Sequence, residues 1–189
     1  MEKCEAVMIG GSAGSLEVLL KVVPALDTAL RFPVIIVLHR KSGQDNLLID
    51  LLAARTQLRV KELEEKEKIE PATLYIAPPN YHLLIESDGT FSLDASEKVN
   101  FSRPAIDVAF ESGATAYGEN IACILLSGSN SDGAKGLQKV AAAGGLVLIQ
   151  NPEMAKMPYM PEYALQAVEA DAVLNDDEIA KYINELSND

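Results

Sequence analysis

The chain has 189 residues, of which 48% are hydrophobic, which is enough for one sizeable core and short for two. Its formal net charge of −12, from 28 acidic and 16 basic residues, disfavours nucleic acid and anionic membranes as partners, because both select basic surfaces. We therefore expect a single domain over residues 1–189.

Two cysteines and the N-terminal sequence bear on the cellular compartment. Cys4 precedes the first apolar run and Cys123 lies inside a later one, and neither setting indicates a disulfide framework or a metal cluster. The N-terminus lacks the pattern of a signal peptide, and no apolar run approaches the roughly 18 residues that span a bilayer. The sequence thus predicts a cytoplasmic protein with reduced thiols and no segment inserted in a membrane.

Short β-branched runs alternate with helical patterns along much of the chain. In chain order, the pattern predicts a strand at 6–9, a helix from 15 to about 23, a strand at 33–38, a helix from about 46 to 55, and strands at 121–126 and 146–150. This alternation predicts an α/β fold with a mainly parallel, doubly wound sheet and helices on both of its faces. The runs at 34–38 and 121–126 are apolar throughout, which indicates central strands.

The pattern changes between these two halves. Short strands are predicted at 73–77, 82–86 and 91–94, and turn residues at 87–90 join the last two, so we expect a β-hairpin insertion at one edge of the sheet. A helix from Ala105 to about Tyr117, with Pro104 in its first turn, leads back into the sheet. A terminal helix is predicted from Asp176 to Leu186. The charged run at 61–68 mixes signs and fits a solvated connection.

The stretch G-G-S-A-G at residues 10–14 separates the first strand from the first helix. It has the G-x-S-x-G form of a nucleophile elbow, which presents a serine on a sharp strand-to-helix turn. Ser12 would then lie at a helix N-terminus, where the backbone N–H groups of Ala13 and its successors could stabilise an oxyanion. Taken alone, the motif fits a nucleophile, a phosphate-binding loop and a plain turn equally well.

A serine nucleophile requires a base, and the chain has two histidines, His39 and His82. His39 follows the strand at 33–38, so it lies at the carboxyl end of the strand next in sequence to the one that precedes Ser12. Asp132 lies in the loop after the strand at 121–126 and could orient the imidazole. These three side chains would occupy corresponding ends of three parallel strands, as an acyl-transfer site requires.

Two of these residues also have plainer interpretations when each is judged alone. Asp132 fits an N-cap of the following helix, predicted at 133–143, and His39 fits a strand-end residue satisfied by the backbone. The chain order Ser, His, Asp differs from the Ser, Asp, His order of common α/β-hydrolases. That order excludes the most familiar family of serine hydrolases on this type of sheet.

The sequence resembles the catalytic domain of the CheB chemotaxis methylesterases over nearly its whole length. The motifs that carry the resemblance are V-x-I-G-x-S-x-G at 7–14, the strand ending in histidine at 34–39, Y-I-A-P-P at 75–79 with His82, R-P-A-I-D at 103–107, L-S-G at 126–128, D-G-A-K-G at 132–136 and M-P at 160–161. The resemblance implies that Ser12 is the nucleophile, His39 the general acid/base and Asp132 the orienting acid. His82 matches a family position but is not expected to act as the base.

The reaction implied by this resemblance is hydrolysis of glutamate γ-methyl esters on the cytoplasmic helices of chemoreceptors. An acyl-enzyme on Ser12 is the expected intermediate, and deamidation of certain glutamines is a related activity. No cofactor or metal is implied. The family usually carries an N-terminal receiver domain, which is absent from residues 1–189, so a separate receiver or signalling protein could act as a partner.

Two positions depart from the family pattern near the expected site. Ala13 replaces a residue that commonly bears a hydroxyl, and residues 128–130 read G-S-N where G-M-G is usual, so that Ser129 replaces a methionine. The backbone N–H of Ala13 survives this change. The departures motivate a second class of function, a docking or scaffolding module that retains the fold. A nucleotide-binding domain ranks last, because the chain has no P-loop lysine.

Overall fold

The computed structural model describes residues 3–40 and 45–188. The strands, in chain order, are β1 (Ala6–Gly11), β2 (Val34–Leu38), β3 (Arg59–Glu62), β4 (Thr73–Ile76), β5 (His82–Ile85), β6 (Phe91–Asp94), β7 (Ile121–Leu125), β8 (Leu146–Gln150) and β9 (Ala172–Leu174). The α-helices are α1 (Ser15–Val22), α2 (Asp45–Ala53), α3 (Ile106–Tyr117), α4 (Ala134–Ala142), α5 (Tyr159–Ala167) and α6 (Asp176–Leu186).

Seven strands form one parallel sheet in the order β3-β4-β2-β1-β7-β8-β9. Every residue of β1, β2 and β7 is buried, because helices cover both faces of the sheet. Side chains of α1, α2 and α6 belong to the core on one face, and those of α3, α4 and α5 to the core on the other. The prediction of a doubly wound, mainly parallel α/β sheet is confirmed.

The strand order places β1 at the point where the chain changes direction across the sheet. From β1 the chain passes to β2 on one side, and it later returns to β7 on the other side. In open α/β sheets, the loops at the carboxyl ends of the strands diverge at such a point and leave a crevice for a ligand. The turns after β1, β2 and β7 therefore meet at one edge of the molecule.

The predicted hairpin is present and forms a sheet of its own. Strands β5 and β6 are antiparallel, and hydrogen bonds from the N–H groups of Lys66 and Ile69 connect the hairpin to the segment after the edge strand β3. The short strand predicted at 73–77 is present as β4. Strand β4 lies inside the main sheet, parallel to β2 and β3, since its four residues are all buried and alternate between the two faces.

Three elements and one helix start differ from what the sequence predicted. The edge strands β3 and β9 and the helix α5 were not predicted. Strand β3 includes the first two residues of the charged run at 61–68. An edge strand can carry charged residues because one of its sides is open to solvent. Helix α3 begins at Ile106 with Ala105 as its N-cap, so Pro104 precedes the helix instead of lying in its first turn.

Both cysteines are free, as the sequence predicted, and both are buried. Burial raises the pKa of Cys4 to about 12 and raises that of Cys123 as well, which leaves both thiols protonated and unreactive at neutral pH. Among residues 3–40 and 45–188, no helix combines the length and the apolar character that a membrane span requires.

Candidate active site

Ser12 is the first residue after β1, in the turn that leads to α1. Its N–H donates to the carbonyl of Ser127 at 2.9 Å, which ties the turn to the loop after β7. Its own carbonyl accepts hydrogen bonds from the N–H of Ser15 at 3.1 Å and from the Ser15 hydroxyl at 2.6 Å. Gly14 closes the turn with φ 86, and a Cβ there would lie 2.7 Å from Ser127 Oγ. The turn thus needs a glycine at this position for two reasons.

The N–H of Ala13 is available to bind an oxyanion. The Ser12 carbonyl and the Ala13 N–H belong to one planar peptide and point in opposite directions, so the bonds from Ser15 turn the N–H of Ala13 away from that residue. Within the described part of the chain this N–H has no acceptor. Ala13 is exposed, and its carbonyl accepts a hydrogen bond from Ser127 Oγ at 2.7 Å. The peptide groups before and after Ala13 are therefore both held in place, by Ser15 and by Ser127.

His39 and Asp132 are in direct contact at the carboxyl ends of β2 and β7. His39 Nε2 lies 2.7 Å from Asp132 Oδ2, and the side chains are 11% and 0% exposed. The backbone N–H of His39 donates to the carbonyl of Gly11 at 3.2 Å, which places the histidine beside the residue that precedes Ser12. Because Asp132 occupies Nε2, Nδ1 is the ring nitrogen that remains for proton transfer. No hydrogen bond joins Ser12 Oγ to this ring among the contacts of the described residues.

The Asp132 carboxylate is held by four groups outside its own loop. Oδ2 accepts from His39 and from the N–H of Ile106 at 2.7 Å, and Oδ1 accepts from Asn100 Nδ2 at 2.9 Å and from the N–H of Asp107 at 3.0 Å. Burial alone would raise the pKa of Asp132, but these hydrogen bonds together hold that pKa below its usual value. The carboxylate is thus kept ionised beside the imidazole.

The alternative interpretation of Asp132, an N-cap of the following helix, does not describe its main contacts. Gly133 is the N-cap residue of α4, with φ 97. The Asp132 carboxylate instead receives the first N–H groups of the neighbouring helix α3. Asp132 is therefore a capping residue, but of a different helix from the one that the sequence suggested.

A second buried carboxylate, that of Asp107, lies beside Asp132. Asn100 Nδ2 donates to both carboxylates, at 2.7 Å to Asp107 Oδ2 and at 2.9 Å to Asp132 Oδ1. Asp107 Oδ1 also accepts the N–H groups of Gly133 at 2.9 Å and Gly136 at 2.8 Å. Burial and the nearby charge of Asp132 raise the pKa of Asp107.

His82 has a structural role in this fold. The residue is 1% exposed, its Nδ1 accepts the N–H of Ala105 at 3.2 Å, and its Nε2 lies 2.9 Å from the carbonyl of Glu97. Because Nδ1 must accept, Nε2 carries the proton and donates to Glu97. Both ring nitrogens are thus occupied by backbone groups, and His82 fixes the N-cap residue of α3.

Ser129 is exposed in the loop after β7, next to a glycine that packs against the turn containing Ser12. The carbonyl of Gly128 accepts the N–H of Met160 at 3.0 Å, and a Cβ at Gly128 would lie 2.4 Å from the tip of Met160 and 3.1 Å from Ser12 Cβ. This glycine lets the loop run directly against Ser12. Ser129 is therefore the exposed residue that follows the glycine packed against Ser12.

A cleft of about 420 Å³ opens beside His39. Its charged lining residues are Arg40, Lys98 and Arg103, and Phe101 also lines it. The cleft gives a substrate access to the imidazole from the side of the segment between β6 and α3.

Several residues that build this site were not predicted from the sequence. Asp107 and Ser127 stand inside motifs of the family resemblance, but those motifs gave them no role. Asn100 and Gln150 carry no pattern at all. Gln150 is fully buried and accepts the N–H of Ser127 at 2.7 Å while its amide donates to Asp176 Oδ1 at 2.7 Å. Such contacts join residues far apart in the chain, so one sequence does not show them.

Comparison with known proteins gives consistent matches over nearly the whole chain. The model of the CheB methylesterase family matches residues 7–183. A protein of Leptospira interrogans, serovar copenhageni, whose name includes protein-glutamate methylesterase/protein-glutamine glutaminase, is 43% identical over 177 residues, which cover 94% of this chain and 92% of that protein. A Thermotoga maritima protein of the same name is 33% identical over 183 residues, which cover 95% of this chain and 53% of that protein.

A solved structure agrees with these matches. The crystal structure of the Thermotoga maritima CheB methylesterase catalytic domain has a TM-score of 0.93 and 33% identity to this chain, over 97% of this chain and 99% of that one. The fold, the family model and the relatives all lead to one assignment. This chain belongs to the CheB methylesterase family.

Proposed function

We propose that this chain is a cytoplasmic serine hydrolase that removes γ-methyl groups from glutamate esters of methyl-accepting chemoreceptors. The observation that carries the proposal is the 2.7 Å contact between His39 Nε2 and the buried carboxylate of Asp132, beside the turn that presents Ser12. An oriented imidazole next to a serine on a glycine-rich turn is the arrangement that acyl transfer needs. The names of the relatives describe the same chemistry.

In the first half of the reaction, Ser12 Oγ attacks the ester carbonyl carbon, and His39 Nδ1 accepts the hydroxyl proton. The carbonyl oxygen becomes an oxyanion, which the N–H of Ala13 and the N-terminal end of α1 stabilise. Asp132 stabilises the imidazolium and keeps its ring oriented. The tetrahedral intermediate then breaks its bond to the methoxy oxygen. His39 returns the proton to that oxygen, and methanol leaves.

In the second half, water attacks the acyl-enzyme on Ser12 and His39 accepts the proton of that water. Collapse of the second tetrahedral intermediate returns the proton to Ser12 Oγ and releases the glutamate carboxylate. A glutamine side chain can enter the same sequence with ammonia as the leaving group, because ester and amide pass through the same oxyanion. Every proton moves through His39, so one histidine serves both activities.

The proposal also includes the cellular compartment, the domain organisation and the regulation of the enzyme. The substrate is the cytoplasmic part of a receptor, so the enzyme acts in the cytoplasm, as one domain over residues 1–189. A separate receiver or signalling protein would supply regulation. The exposed positions Ala13 and Ser129 line the rim where the substrate enters, and they are the positions where substrate preference can differ within the family.

The test is methanol release from a methylated receptor fragment by the purified chain and by Ser12→Ala. Loss of a triad member typically lowers the rate by several thousandfold or more, and we expect Ser12→Ala to show that loss with an unchanged circular dichroism spectrum. Ser87→Ala is the matched control, because Ser87 is exposed in the hairpin turn. A Ser12→Ala variant with more than about a tenth of the wild-type rate would exclude Ser12 as the nucleophile.

A second measurement separates this function from a docking or scaffolding module. A fluorophosphonate ester reacts with an activated serine, and mass spectrometry locates the adduct. We expect a single adduct on Ser12 that disappears in His39→Gln. Receptor binding without methanol release and without an adduct would favour the scaffold.

A further inference from the structure

The tight turn at residues 99–102 has an unusual backbone for its sequence. Val99 and Ser102 exchange two hydrogen bonds, of 3.2 Å and 2.9 Å, across the turn. The two central residues, Asn100 with φ 51 and Phe101 with φ 63, both lie in the left-handed region. Turns with two such residues strongly favour glycine and asparagine, and a bulky side chain there is disfavoured. Asn100 is therefore expected in this turn, whereas Phe101 is not.

Burial does not account for Phe101 either, because 96% of its side chain is exposed. The aromatic ring at this position contributes little to the buried core, and its backbone angle disfavours a bulky residue. Glycine would adopt this angle more easily and would expose no apolar side chain. A residue held in a disfavoured conformation, at a site that water surrounds, is evidence of a role outside the fold itself. Large exposed aromatic side chains are the residues that most often anchor a protein partner.

The turn is fixed to the candidate active site. The Asn100 side chain donates to the carboxylates of Asp107 and Asp132, so the residue before Phe101 is bound to the carboxylate that holds His39. Phe101 and His39 line the same cleft. A partner that rests on Phe101 would consequently lie next to the imidazole.

The charged side chains that line this cleft indicate the chemistry of the partner. They are Arg40, Lys98 and Arg103, in a chain whose formal net charge is −12. Arg40 forms an ion pair with Glu62 at 2.6 Å, and Arg103 donates to two backbone carbonyls. Lys98 is exposed and has no ion-pair partner among the described residues.

Acidic groups also lie close to this part of the chain. Hydrogen bonds from Ser96 lower the pKa of Asp94 at the end of β6, and the nearby positive charge of Arg103 lowers it a little further. Even so, among the described residues that line the cleft, three are cations and none is acidic, in a chain whose formal net charge is −12. Such a patch attracts a segment with carboxylates.

We propose that Phe101, together with Lys98 and Arg103, docks an acidic segment of the substrate protein next to its esterified glutamate. This inference rests on the proposed function and names the surface that selects the substrate. The aromatic ring would contact apolar side chains of the segment, and the two cations would pair with its free carboxylates. The docked segment would then present one ester to His39 and Ser12.

The test measures binding without turnover. The probe is the methylated cytoplasmic fragment of a methyl-accepting receptor from the same genome, and its affinity is measured by calorimetry for the Ser12→Ala chain with and without Phe101→Gly. We expect Phe101→Gly to weaken binding by at least about tenfold. Val173→Ala, which shortens an exposed apolar side chain on the edge strand β9, is the control and should change the affinity by less than about twofold.

Charge is tested in the same assay. Lys98→Gln should weaken binding, and it should also reduce the loss of affinity between about 50 and 300 mM salt, because an exposed ion pair is screened. Phe101→Gly should retain the wild-type thermal midpoint or exceed it, since glycine relaxes the backbone at this φ. An unchanged or higher midpoint would show that a loss of binding in this variant does not come from unfolding.

Three results would overturn the docking surface. The first is unchanged affinity in Phe101→Gly, and the second is affinity that does not depend on salt or on Lys98. The third is a wild-type dimer that becomes a monomer in Phe101→Gly, which would assign the patch to a second copy of this chain.

Methanol release by the chain with Ser12 intact is measured separately. Its absence despite tight binding would overturn the proposed function alone, whereas methanol release with no effect of Phe101→Gly on affinity would overturn the docking surface alone.

Discussion

The carboxylates of Asp107 and Asp132 bind the starts of two helices reciprocally: each accepts N–H groups from the helix start at which the other aspartate lies. Asp132 accepts the N–H groups of Ile106 and Asp107 at the start of α3, and Asp107 accepts those of Gly133 and Gly136 at the start of α4. The partial positive charge of each helix start favours a carboxylate there, so two carboxylates can be buried side by side. Asp132 is thereby oriented by the fold itself and not only by His39.

This arrangement makes a specific prediction for Asp132→Asn. The amide keeps one acceptor oxygen, but its NH2 group must face a donor from either His39, Asn100 or the start of α3. We expect a rate loss of up to about ten-thousandfold, because the imidazole is no longer held in the correct tautomer. We also expect a loss of stability of about 1–3 kcal/mol, because a buried donor is left unpaired.

Ester hydrolysis and the thermal midpoint, measured on the same preparation, check this prediction. Asp177→Asn is a suitable control, since Asp177 is exposed in the first turn of α6. Near-normal turnover in Asp132→Asn would reduce the residue to a helix cap and leave Ser12 and His39 without their third member.

Asp107→Asn should change how stability depends on pH. The folded-state pKa of Asp107 is raised above its ordinary value of 3.8, mainly by burial, so the folded protein takes up this proton at a higher pH than the unfolded chain does. Stability from this group therefore rises as pH falls from the folded pKa towards 3.8. The pKa of Asp132 is lowered, so its contribution is present above the unfolded value and is lost only as pH falls through its folded pKa, below 3.8.

Urea denaturation between neutral pH and about pH 4 measures this effect. We expect the free energy of unfolding of the wild type to increase relative to that of Asp107→Asn as pH decreases through this range. A difference that stays constant or decreases would mean that Asp107 is not held at a raised pKa in the folded protein.

The sequence was sufficient for the fold class and for the three strand ends that carry Ser12, His39 and Asp132. Long apolar runs made β1, β2 and β7 recognisable, because strands buried on both faces have no polar alternation. The edge strand β3 was not recognisable, since charged residues such as Lys61 and Glu62 are tolerated where one side of the strand meets solvent.

The contacts that hold the site could not be predicted in the same way. Asn100 reaches two carboxylates from a turn whose backbone angles no sequence pattern specifies, and its partner Asp132 is 32 residues further along the chain. His82 was not expected to act as the base, and its role at the start of α3 depends on a hairpin that the sequence predicted only as an insertion at one edge of the sheet. Polar side chains that bind backbone groups across elements leave no periodic signal.

Ser127→Ala tests how the nucleophile turn, residues 12–14 with the proposed nucleophile Ser12, is held. The Ser127 hydroxyl donates to the carbonyl of Ala13 at 2.7 Å and accepts the N–H of Met157 at 2.9 Å, so its removal frees the peptide next to the Ala13 N–H, which is the proposed oxyanion donor. We expect kcat to fall by about ten- to a hundredfold with a small change in KM, because misplaced groups affect the transition state more than binding. Stability should fall by about 1–2 kcal/mol.

Ser112→Ala provides the matched control for this loss of stability. The Ser112 hydroxyl accepts the N–H of Ile85 at 2.6 Å and supports the hairpin instead of the nucleophile turn. Its removal should lower the thermal midpoint to a similar extent and leave kcat within about threefold of the wild type. Equal effects of both variants on kcat would show that Ser127 acts only through general stability.

The two histidines give the last prediction, because the proposed function assigns proton transfer to His39, whereas both ring nitrogens of His82 contact backbone groups of the fold. His39→Gln should reduce turnover as severely as Ser12→Ala while the thermal midpoint changes little, since the ring is near the surface and glutamine can still donate to Asp132. His82→Gln removes a buried ring that binds Ala105 and Glu97, so we expect a loss of stability of about 2–4 kcal/mol. Its folded fraction, measured well below the new midpoint, should keep more than about a tenth of the wild-type rate. An inactive His82→Gln with a normal midpoint, together with an active His39→Gln, would transfer the base role to His82 and contradict the assignment made from the strand ends.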